Sequence, residues 1–375
     1  MKKLAVIAIT QNGIDTGAML KTKYPQIDLL TLSDKGLTFD QNQWKASWAT
    51  LKELTAEVFS RYDGLVYVMA VGIVVRMIAP HITTKDHDPA IVVIDEKTQF
   101  TISLLSGHLG GGNDLTRELS EVLGNQSVIT TATDVNQVYA LDSFAADHQL
   151  CIEPISAIAR YNMALLQGER IDLVVERGLI FDDFYPSFPI SQYCRAASKH
   201  QTGLQAMVTH KLHNLPGHTE AAQTIFLRPP NLILGAGCRK DYPPELFEQQ
   251  VLTFLEKHQL SVNSIREIRS IRIKEQETAM IRFADTYKIP FVTFEAAEIN
   301  KVYDDHPDLE RSDFVHQNTG AWGVAEPVCL IGADNKPEGS ISLLHKKEEL
   351  SGMTLAMAIE EPYRITKKSR TWLER

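Results

Sequence analysis

One segment of the chain joins the signals of a strand end, a close backbone turn and a helix start: SLLSGHLGGGND, residues 103–114. A β-type run at residues 100–105 leads into it, and an amphipathic pattern over residues 115–123 follows it. Glycines let the backbone approach a ligand closely, and the N–H groups at a helix start attract anions. Because a serine, a histidine and an asparagine share this turn, it is typical of a site that binds an oxygen-rich ligand and moves a proton. A tight connection without a ligand is the alternative interpretation.

The glycine spacing differs from that of the common nucleotide-binding loops. A Walker A loop needs Gly-Lys-Ser/Thr after its glycines, and a dinucleotide fold needs G-x-G-x-x-G. Residues 103–114 contain neither pattern. A nucleotide phosphate is therefore not the expected ligand.

Composition limits the class of protein. The chain has 375 residues, of which 44% are hydrophobic and 23% charged, as in a globular protein of two or three domains. Its formal net charge of −9 argues against nucleic acid or an anionic membrane as a partner. An acidic protein that binds an anionic ligand has to offset its own field with backbone amides and a few cations.

The sequence has no pattern of a membrane span or a secreted protein. Its longest apolar run, residues 66–75, is about half of the ~20 residues that a span needs. The apolar start at residues 4–9 ends without a small-residue cleavage site, so we expect a buried strand rather than a signal peptide. The four cysteines are scattered and form no C-x-x-C pair, which predicts neither a structural zinc nor a disulfide framework. A reducing cytoplasm is the expected location.

Strand and helix patterns alternate along the chain and predict an α/β fold. We expect two open α/β layer domains, with mixed or parallel sheets flanked by helices, and a smaller α/β middle module. The expected parts are an N-terminal domain at 1–140, the middle module at 141–228, a C-terminal domain at 231–361 and a tail at 362–375. The predicted strands are residues 4–9, 28–32, 65–69, 91–94, 100–105, 127–130, 173–175, 206–210, 231–234, 268–271, 291–294, 340–344 and 354–358. The predicted helices are residues 16–24, 43–61, 72–78, 115–123, 275–287 and 324–331, with a further helix opening at 243–245.

Two further glycine turns are predicted at strand-to-helix junctions. One lies at Gly235–Gly237 and the other at Gly320–Gly323. Ligands of open α/β sheets gather at the C-terminal ends of the strands. The three turns together therefore predict a large ligand with many acidic or oxygen-rich groups.

His108 is the best candidate for general acid–base chemistry, because an unperturbed imidazole pKa of about 6.5 suits proton transfer at neutral pH. A histidine that only shapes the turn is the alternative. Asp134 follows the neighbouring strand and is expected in the same crevice, where it orients His108 or caps the next turn.

The loop at residues 80–89 contains His81, His87 and Lys85. Its imidazoles and carboxylates match no standard set of metal ligands, so a solvated loop is expected rather than a metal site. Lys85 is a candidate cation for a ligand carboxylate.

Four candidates in the C-terminal part each have a plainer alternative. Cys238 is a nucleophile only if its pKa is lowered, and is otherwise a small packing residue. Arg239 carries the planar guanidinium that clamps carboxylates. Lys274 suits a Schiff base or a bound carboxylate, with a solvated helix start as the default. Glu326 is a candidate base, or a carboxylate that stabilises its helix N-terminus.

Several blocks of the sequence resemble the CbiG family. The N-terminal similarity is carried by AVGIVVRMIAP at 70–80, KDHDPAIVV at 85–93, SLLSGHLGG at 103–111 and ITTATD at 129–134. The C-terminal similarity is carried by GAGCRK at 235–240, Ile273-Lys274-x-x-Glu277 and GVAEP at 323–327. The resemblance covers residues 1–140 and 231–360. Trp322 departs from it, because a small or polar residue is expected there.

The resemblance implies a cobalt-precorrin-5A hydrolase of the anaerobic route to cobalamin. Such an enzyme opens the ring A δ-lactone and releases the two-carbon unit of C20 as acetaldehyde, which gives cobalt-precorrin-5B. It implies no cofactor and no metal site of the protein, because the cobalt belongs to the tetrapyrrole substrate. We also expect a homodimer and transient contact with neighbouring methyltransferases of the pathway.

We assign roles to the candidates as a hypothesis, from the chemistry of the reaction that the resemblance implies. His108 is the expected base, and the amides of Gly107–Gly111 with the side chain of Asn113 are expected to stabilise oxyanions. Asp134 and Glu326 are the other catalytic candidates. We expect the glycine-flanked junctions of both end domains to share one pocket. The substrate-binding candidates are Lys85, Ser106, Gly107, Gly110, Gly111, Asn113, Thr131, Gly237, Cys238, Arg239, Lys274 and Glu277.

Two other functions remain open from the sequence. A corrinoid carrier or sensor uses the same clefts without turnover, with His108, His81 or His87 as a cobalt ligand. An enzyme of sugar phosphates or nucleotides is the third interpretation.

Overall fold

The computed structural model describes residues 2–33, 36–84, 87–181, 193–195, 204–212, 224–332 and 340–366. These residues divide into two compact units. The first unit contains the chain up to His148 together with Ile158–Glu169, and the second contains Gln149–Ala157 and the chain from Arg170 onwards.

The first unit is built on a seven-stranded sheet. Its strands are β1 Leu4–Ala8, β2 Asp28–Leu32, β3 Trp44–Trp48, β4 Gly64–Val68, β5 Ala90–Ile94, β6 Phe100–Leu105 and β7 Gln126–Val128. Its helices are α1 Gln11–Lys23, α2 Leu51–Val58, α3 Val71–Ile78, α4 Gly112–Leu123, α5 Ala132–Val135, α6 Leu141–Asp147 and α7 Ile158–Leu166. The strand order is β3-β2-β1-β4-β5-β6-β7, and every neighbouring pair is parallel except β5 and β6.

Both faces of this sheet are covered, which explains why its central strands are continuous apolar runs. All five residues of β1 are buried. Val6 packs in one core cluster with Ile14 of α1 and Leu115 of α4, whereas Ile7 packs on the other face with Val74 of α3. Period-two alternation therefore sends neighbouring residues of one strand into two separate cores.

The second unit contains the remaining strands and helices. Its strands are β8 Cys151–Glu153, β9 Ile171–Val175, β10 Leu179–Phe181, β11 Tyr193–Arg195, β12 Gln205–Val208, β13 Thr224–Arg228, β14 Leu232–Cys238, β15 Ile265–Ile271, β16 Phe291–Phe294, β17 Ser340–Leu350, β18 Met353–Glu361 and β19 Tyr363–Ile365. Its helices are α8 Pro244–Lys257, α9 Thr278–Tyr287, α10 Ala296–Asp305, α11 Asp313–Thr319 and α12 Ala325–Leu330.

These strands form two mixed five-stranded sheets and a parallel pair of β10 and β19. One sheet has the order β11-β9-β12-β13-β8, with β8 antiparallel at its edge. The other has the order β16-β15-β14-β18-β17, in which β17 and β18 form an antiparallel hairpin. The α/β class with mixed sheets flanked by helices is confirmed. The domain boundaries drawn at residues 140, 228 and 361 stay predictions.

The single helix expected at residues 43–61 is wrong. Residues 43–61 were expected to form one helix, but Trp44–Trp48 is an edge strand beside β2 and the helix begins only at Leu51. The apolar spacing of this region is shared by a strand and a short helix, so helical periodicity alone does not separate them. Thr50 ends the strand segment and caps α2, where its side chain accepts from the backbone N–H of Glu53.

The second predicted glycine turn is also wrong. Gly235 and Gly237 lie inside strand β14, hydrogen-bonded to β18 throughout. A Cβ atom on Gly235 would lie 1.9 Å from the carbonyl oxygen of Ala325 and 2.6 Å from Sγ of Cys329. Glycine is therefore needed there so that α12 can pack directly on the strand.

Candidate active site

The glycine-rich segment is the strand-to-helix turn that the sequence predicts. Strand β6 ends at Leu105, and α4 begins at Gly112. Ser106 has a φ of 55° and Gly111 a φ of 80°, both in the left-handed region. A Cβ atom on Gly110 would lie 2.6 Å from Cβ of Ser106, so only glycine fits at that position.

Three backbone N–H groups of this turn have no acceptor among the described residues. The N–H groups of Gly111 and Gly112 donate to carbonyl oxygens within the turn, at 2.9 and 3.0 Å. No such hydrogen bond occurs for the N–H groups of Gly107, His108 and Leu109. Unsatisfied donors of this kind are suited to bind an anion or a developing oxyanion. The hydroxyl of Ser106 is buried and likewise lacks a partner in the described part of the chain.

His108 lies between two carboxylates. Its Nε2 is 2.7 Å from Oδ2 of Asp134, and its Nδ1 is 2.9 Å from Oδ1 of Asp142. The structure thus places Asp134 in direct contact with His108. The catalytic role expected of Asp134 stays a prediction. Parallel pairing explains the contact, because β6 and β7 end at the same edge of the sheet and α5, which carries Asp134, follows β7.

This environment fixes the charge of His108. Burial alone lowers the pKa of the imidazole, but the hydrogen bonds and charges of Asp134 and Asp142 outweigh burial and raise the pKa to about 9. The same contacts outweigh burial at Asp134 and Asp142 and lower the pKa of both carboxyl groups. His108 is therefore an imidazolium at neutral pH, with both N–H groups donated to carboxylates. In this state it is a proton donor, and the role of base requires that it first lose a proton.

Asn113 holds the rest of the site in place. Its Nδ2 donates to Oγ1 of Thr131 and to Oδ2 of Asp134, both at 2.9 Å, and its Oδ1 accepts from Oγ of Ser103 at 2.7 Å. Thr131 in turn donates to Oδ2 of Asp134 at 2.7 Å. The amide of Asn113 is thus engaged inside the protein, where it orients Asp134, and Asn113 also lines the cavity beside His108. Its expected contact with an oxyanion stays a prediction.

Three residues of the site were missed in the sequence. Asp142 lies on α6, Asn162 on α7 and Arg117 on α4. Arg117 donates to Oδ1 of Asp134, and Asn162 donates to Oδ1 of Asp142 at 3.1 Å. None of the three stands in a motif with a recognisable spacing. Only the tertiary fold, which returns α7 to the first unit, brings Asn162 to this site.

A cavity of about 240 Å³ opens beside His108. The described residues that line it include Gly107, Asp134 and Arg117 but not Asp142. The cavity is smaller than the roughly 300–1,000 Å³ of sites that enclose a drug-sized ligand. It is therefore too small to enclose a large ligand as a whole.

The second unit holds the other candidates. Cys238 is the last residue of β14, and burial raises the pKa of its thiol to about 11 although Lys274 acts in the opposite direction. A neutral, half-buried thiol is not an activated nucleophile. Lys274 is paired with Glu277 at 2.8 Å, and Glu277 also accepts from the backbone N–H of Tyr242 at 3.0 Å. Both charges are thus engaged inside the protein.

Arg239 and Glu326 differ in exposure. Arg239 is exposed, and its backbone N–H donates to the carbonyl of Gly352 at 3.1 Å. Glu326 is buried on α12, where its Oε1 accepts from the backbone N–H of Lys347 at 3.1 Å. This contact anchors β17 to the helix. That these residues line the same pocket as His108 stays a prediction.

The third predicted glycine turn joins two helices, α11 and α12, and not a strand to a helix. Gly320 ends α11 with a φ of 77°. The indole ring of Trp322 stacks on His316 with ring centroids 3.9 Å apart, and Arg311 lies over the same indole. The unexpected tryptophan is thus part of a local packing cluster.

The histidine loop fits a structural interpretation. His81 packs against Phe59, and Nδ1 of His87 is 3.1 Å from Oγ1 of Thr84. Within the described ranges, no group of three or more His, Cys, Asp and Glu side chains is arranged to hold a metal ion. Lys85 lies outside the described residues. None of the helices in the described part of the chain is long and apolar enough to cross a membrane.

The fold and site define an α/β protein with a charged histidine at the C-terminal end of a sheet, and comparison with known proteins places it in a family. Residues 53–134 match the model described as "Cobalamin synthesis G N-terminal", and residues 232–358 match "Cobalamin synthesis G C-terminus". The chain belongs to this family, CbiG. The resemblance found in the sequence is thereby confirmed.

Curated relatives cover most of the chain. A protein of Priestia megaterium named cobalt-precorrin-5A hydrolase is 32% identical over 95% of this chain and 94% of its own. A protein of Salmonella typhimurium with the same name is 34% identical over 73% of this chain and 77% of its own. Two solved structures are also similar. One is a putative cobalamin biosynthesis protein G homologue from Sulfolobus solfataricus, which is 23% identical, with 96% of this chain and 97% of that chain covered and a TM-score of 0.39. The other is CobE of the cobalamin biosynthetic pathway, which is 26% identical, with 36% of this chain and 94% of that chain covered and a TM-score of 0.31.

Proposed function

We propose that this chain is a hydrolase of cobalamin biosynthesis that acts on cobalt-precorrin-5A. It opens the ring A δ-lactone and releases the two-carbon unit of C20 as acetaldehyde, which gives cobalt-precorrin-5B. The observation that carries the proposal is a charged histidine beside unpaired backbone amides in a cavity, in a chain that is 32% identical to a cobalt-precorrin-5A hydrolase over nearly its whole length.

Lactone opening needs donors for an oxyanion and a proton for the leaving oxygen. Water adds to the lactone carbonyl, and the N–H groups of Gly107, His108 and Leu109 stabilise the negative charge that develops on its oxygen. The bond between the acyl carbon and the oxygen on C20 then breaks. The imidazolium of His108 gives its Nε2 proton to that oxygen, and the attacking water loses its own protons to solvent, which leaves a carboxylate and a C20 carbinol.

The same residue then serves as the base that the sequence suggests. After the first step His108 is neutral, and the two neighbouring carboxylates make it a strong proton acceptor. It takes back the proton of the C20 carbinol. The bond between C20 and the macrocycle breaks, acetaldehyde leaves, and the electron pair passes into the ring system that carries cobalt.

The charges around the cavity support the lactone edge as the part of the substrate that enters. The described wall residues include three carboxylates, Asp114, Asp134 and Asp147, and two cations, His108 and Arg117. This excess of negative charge favours the binding of a neutral ester over that of a free carboxylate, and it disfavours retention of the carboxylate product. Cations such as Arg239 are proposed to hold the acetate and propionate groups at the rim of the macrocycle.

Several finer points are part of the proposal. The cobalt arrives with the substrate and no cofactor is needed, the protein acts in the cytoplasm, it forms a homodimer, and it contacts neighbouring methyltransferases transiently.

Purified protein incubated with cobalt-precorrin-5A is expected to release one acetaldehyde per substrate, detected as its hydrazone, together with a corrinoid of correspondingly lower mass. Tight binding of the corrinoid without any acetaldehyde would instead favour the carrier.

A further inference from the structure

We propose that Asp142 is the positioning residue of the site, which fixes the ring of His108 so that Nε2 is the nitrogen that exchanges protons with substrate. The inference rests on the proposed function. It concerns a residue that lies outside both regions matched by the family models, residues 53–134 and 232–358.

Asp142 is held more firmly than a surface carboxylate. Its Oδ1 accepts from Nδ1 of His108 at 2.9 Å, from Nδ2 of Asn162 at 3.1 Å and from its neighbour's backbone N–H, that of Ser143, at 3.1 Å. Its side chain is 13% exposed. Three donors on one oxygen of a largely buried side chain leave the carboxylate little freedom, so the imidazole edge that it binds is fixed as well.

The two carboxylates that contact His108 have different surroundings. Asp134 belongs to the cavity wall, whereas Asp142 does not. The Nε2 edge of the ring therefore lies on the side of the cavity, and a ligand group competes there with Asp134 for the proton. The Nδ1 edge is closed by Asp142. A carboxylate on one nitrogen that holds the ring while the other nitrogen transfers protons is a recurrent catalytic arrangement.

Asn162 completes this support from a distant part of the chain. Its Oδ1 accepts from the backbone N–H of Leu141 at 2.9 Å, at the start of α6, while its Nδ2 binds Asp142. One amide thus joins α7 to the helix start and to the carboxylate together. The charged groups near His108 are Asp134 and Asp142 in direct contact, and Arg117, Asp114 and Asp147 around the cavity.

The first test is spectroscopic and needs no substrate. With ¹⁵N-labelled histidine, His108 of the wild-type protein is expected to stay protonated on both nitrogens at neutral pH and to titrate near 9. In Asp142→Asn the midpoint is expected to fall by about 1–3 pH units, because one of the two negative neighbours is lost. Asp28→Asn is the matched control, since Asp28 accepts from Tyr62 at 2.7 Å and belongs to the same sheet without touching His108. An unchanged midpoint in folded Asp142→Asn would overturn the proposal.

The second test is kinetic. Asp142→Asn is expected to lower kcat for acetaldehyde release by about 10²–10⁴-fold, the usual contribution of a positioned acid–base, and to leave KM unchanged. Asn162→Ala, which keeps the carboxylate, is expected to lower kcat less and serves if Asp142→Asn does not fold. If both variants retain wild-type kcat, Asp142 is not a positioning residue. If the wild type itself releases no acetaldehyde, the proposed function fails, whereas the titration still decides the orientation of the ring.

Discussion

His108 owes its chemistry to two neighbours rather than to its own intrinsic pKa. An isolated histidine is largely neutral at pH 7.5, but the carboxylates of Asp134 and Asp142 raise its pKa to about 9 against the effect of burial. The sequence identified His108 and Asp134 because both stand beside glycine or strand signals. It did not identify Asp142 or Asn162, because residues brought together only by tertiary packing leave no local pattern.

The charge of His108 predicts how activity depends on pH. Because the cation donates the first proton, kcat is expected to be constant through neutral pH and to fall as the pH rises through about 9. The rate of acetaldehyde release between pH 6 and pH 10.5 measures this. A decline centred near 6.5 would mean that His108 is not held as a cation.

The same pKa shift predicts how stability depends on pH. A raised pKa in the folded state means that folding favours the protonated ring, so this stabilisation is complete below the unfolded-state pKa of about 6.5 and is lost as the pH rises through about 9. The lowered pKa values of Asp134 and Asp142 act at the acid end, where their stabilisation is lost as the pH falls below their usual range. Urea unfolding is expected to show the alkaline loss in wild type and a smaller loss in His108→Gln.

At the scale of elements, the glycines of this chain have two different roles, one in a turn and the other inside a strand. The glycine-rich turn before α4 was predicted, because it lies between a clear strand pattern and a clear helix pattern. The glycines of β14 were misread as a turn, because their reason is the close approach of α12, and a partner about 90 residues away in sequence is not visible locally. The edge strand β3 was missed for a related reason, since pairing with β2 outweighs the helical spacing of its residues.

The packing of α12 on β14 predicts the effect of a single methyl group. Gly235→Ala places Cβ 1.9 Å from the carbonyl oxygen of Ala325, so the helix has to move. We expect a loss of about 1–3 kcal/mol in the free energy of unfolding, typical of overpacking. Gly72→Ala is the control, because its new Cβ would meet only the flexible side chain of Arg76 at 3.4 Å. Equal unfolding midpoints for Gly235→Ala and wild type would contradict this account of the glycine.

A substitution in the turn before α4 is expected to lower activity and to leave the fold intact. In Gly110→Ala the new Cβ would lie 2.6 Å from Cβ of Ser106 and 2.8 Å from its carbonyl oxygen, so the turn has to open. The unpaired amides of Gly107, His108 and Leu109 would then shift away from the substrate oxygen, and kcat is expected to fall by about 10²–10³-fold. Circular dichroism of the variant is expected to match wild type. Full activity in Gly110→Ala would mean that these amides do not bind the oxyanion.

At the scale of the whole molecule, the net charge of −9 has to be reconciled with a substrate that carries many carboxylates. The described cavity beside His108 is itself rich in aspartates and small, so it suits the neutral lactone edge and not the rim. The acidic groups of the macrocycle then need cations elsewhere, and that Arg239 is one of them stays a prediction. The fold class, the family and the identity of the central histidine were all predictable from the sequence, whereas the supporting carboxylate and the balance of charge required the structure.

The most direct measurement of the central claim is acetaldehyde release from cobalt-precorrin-5A by His108→Gln beside the wild-type protein, with corrinoid binding followed by absorbance in both. Glutamine keeps hydrogen-bonding groups in the turn but has no proton to exchange at neutral pH. The account predicts that the variant binds the corrinoid and releases acetaldehyde at least about 10²-fold more slowly. Release at the wild-type rate would contradict it.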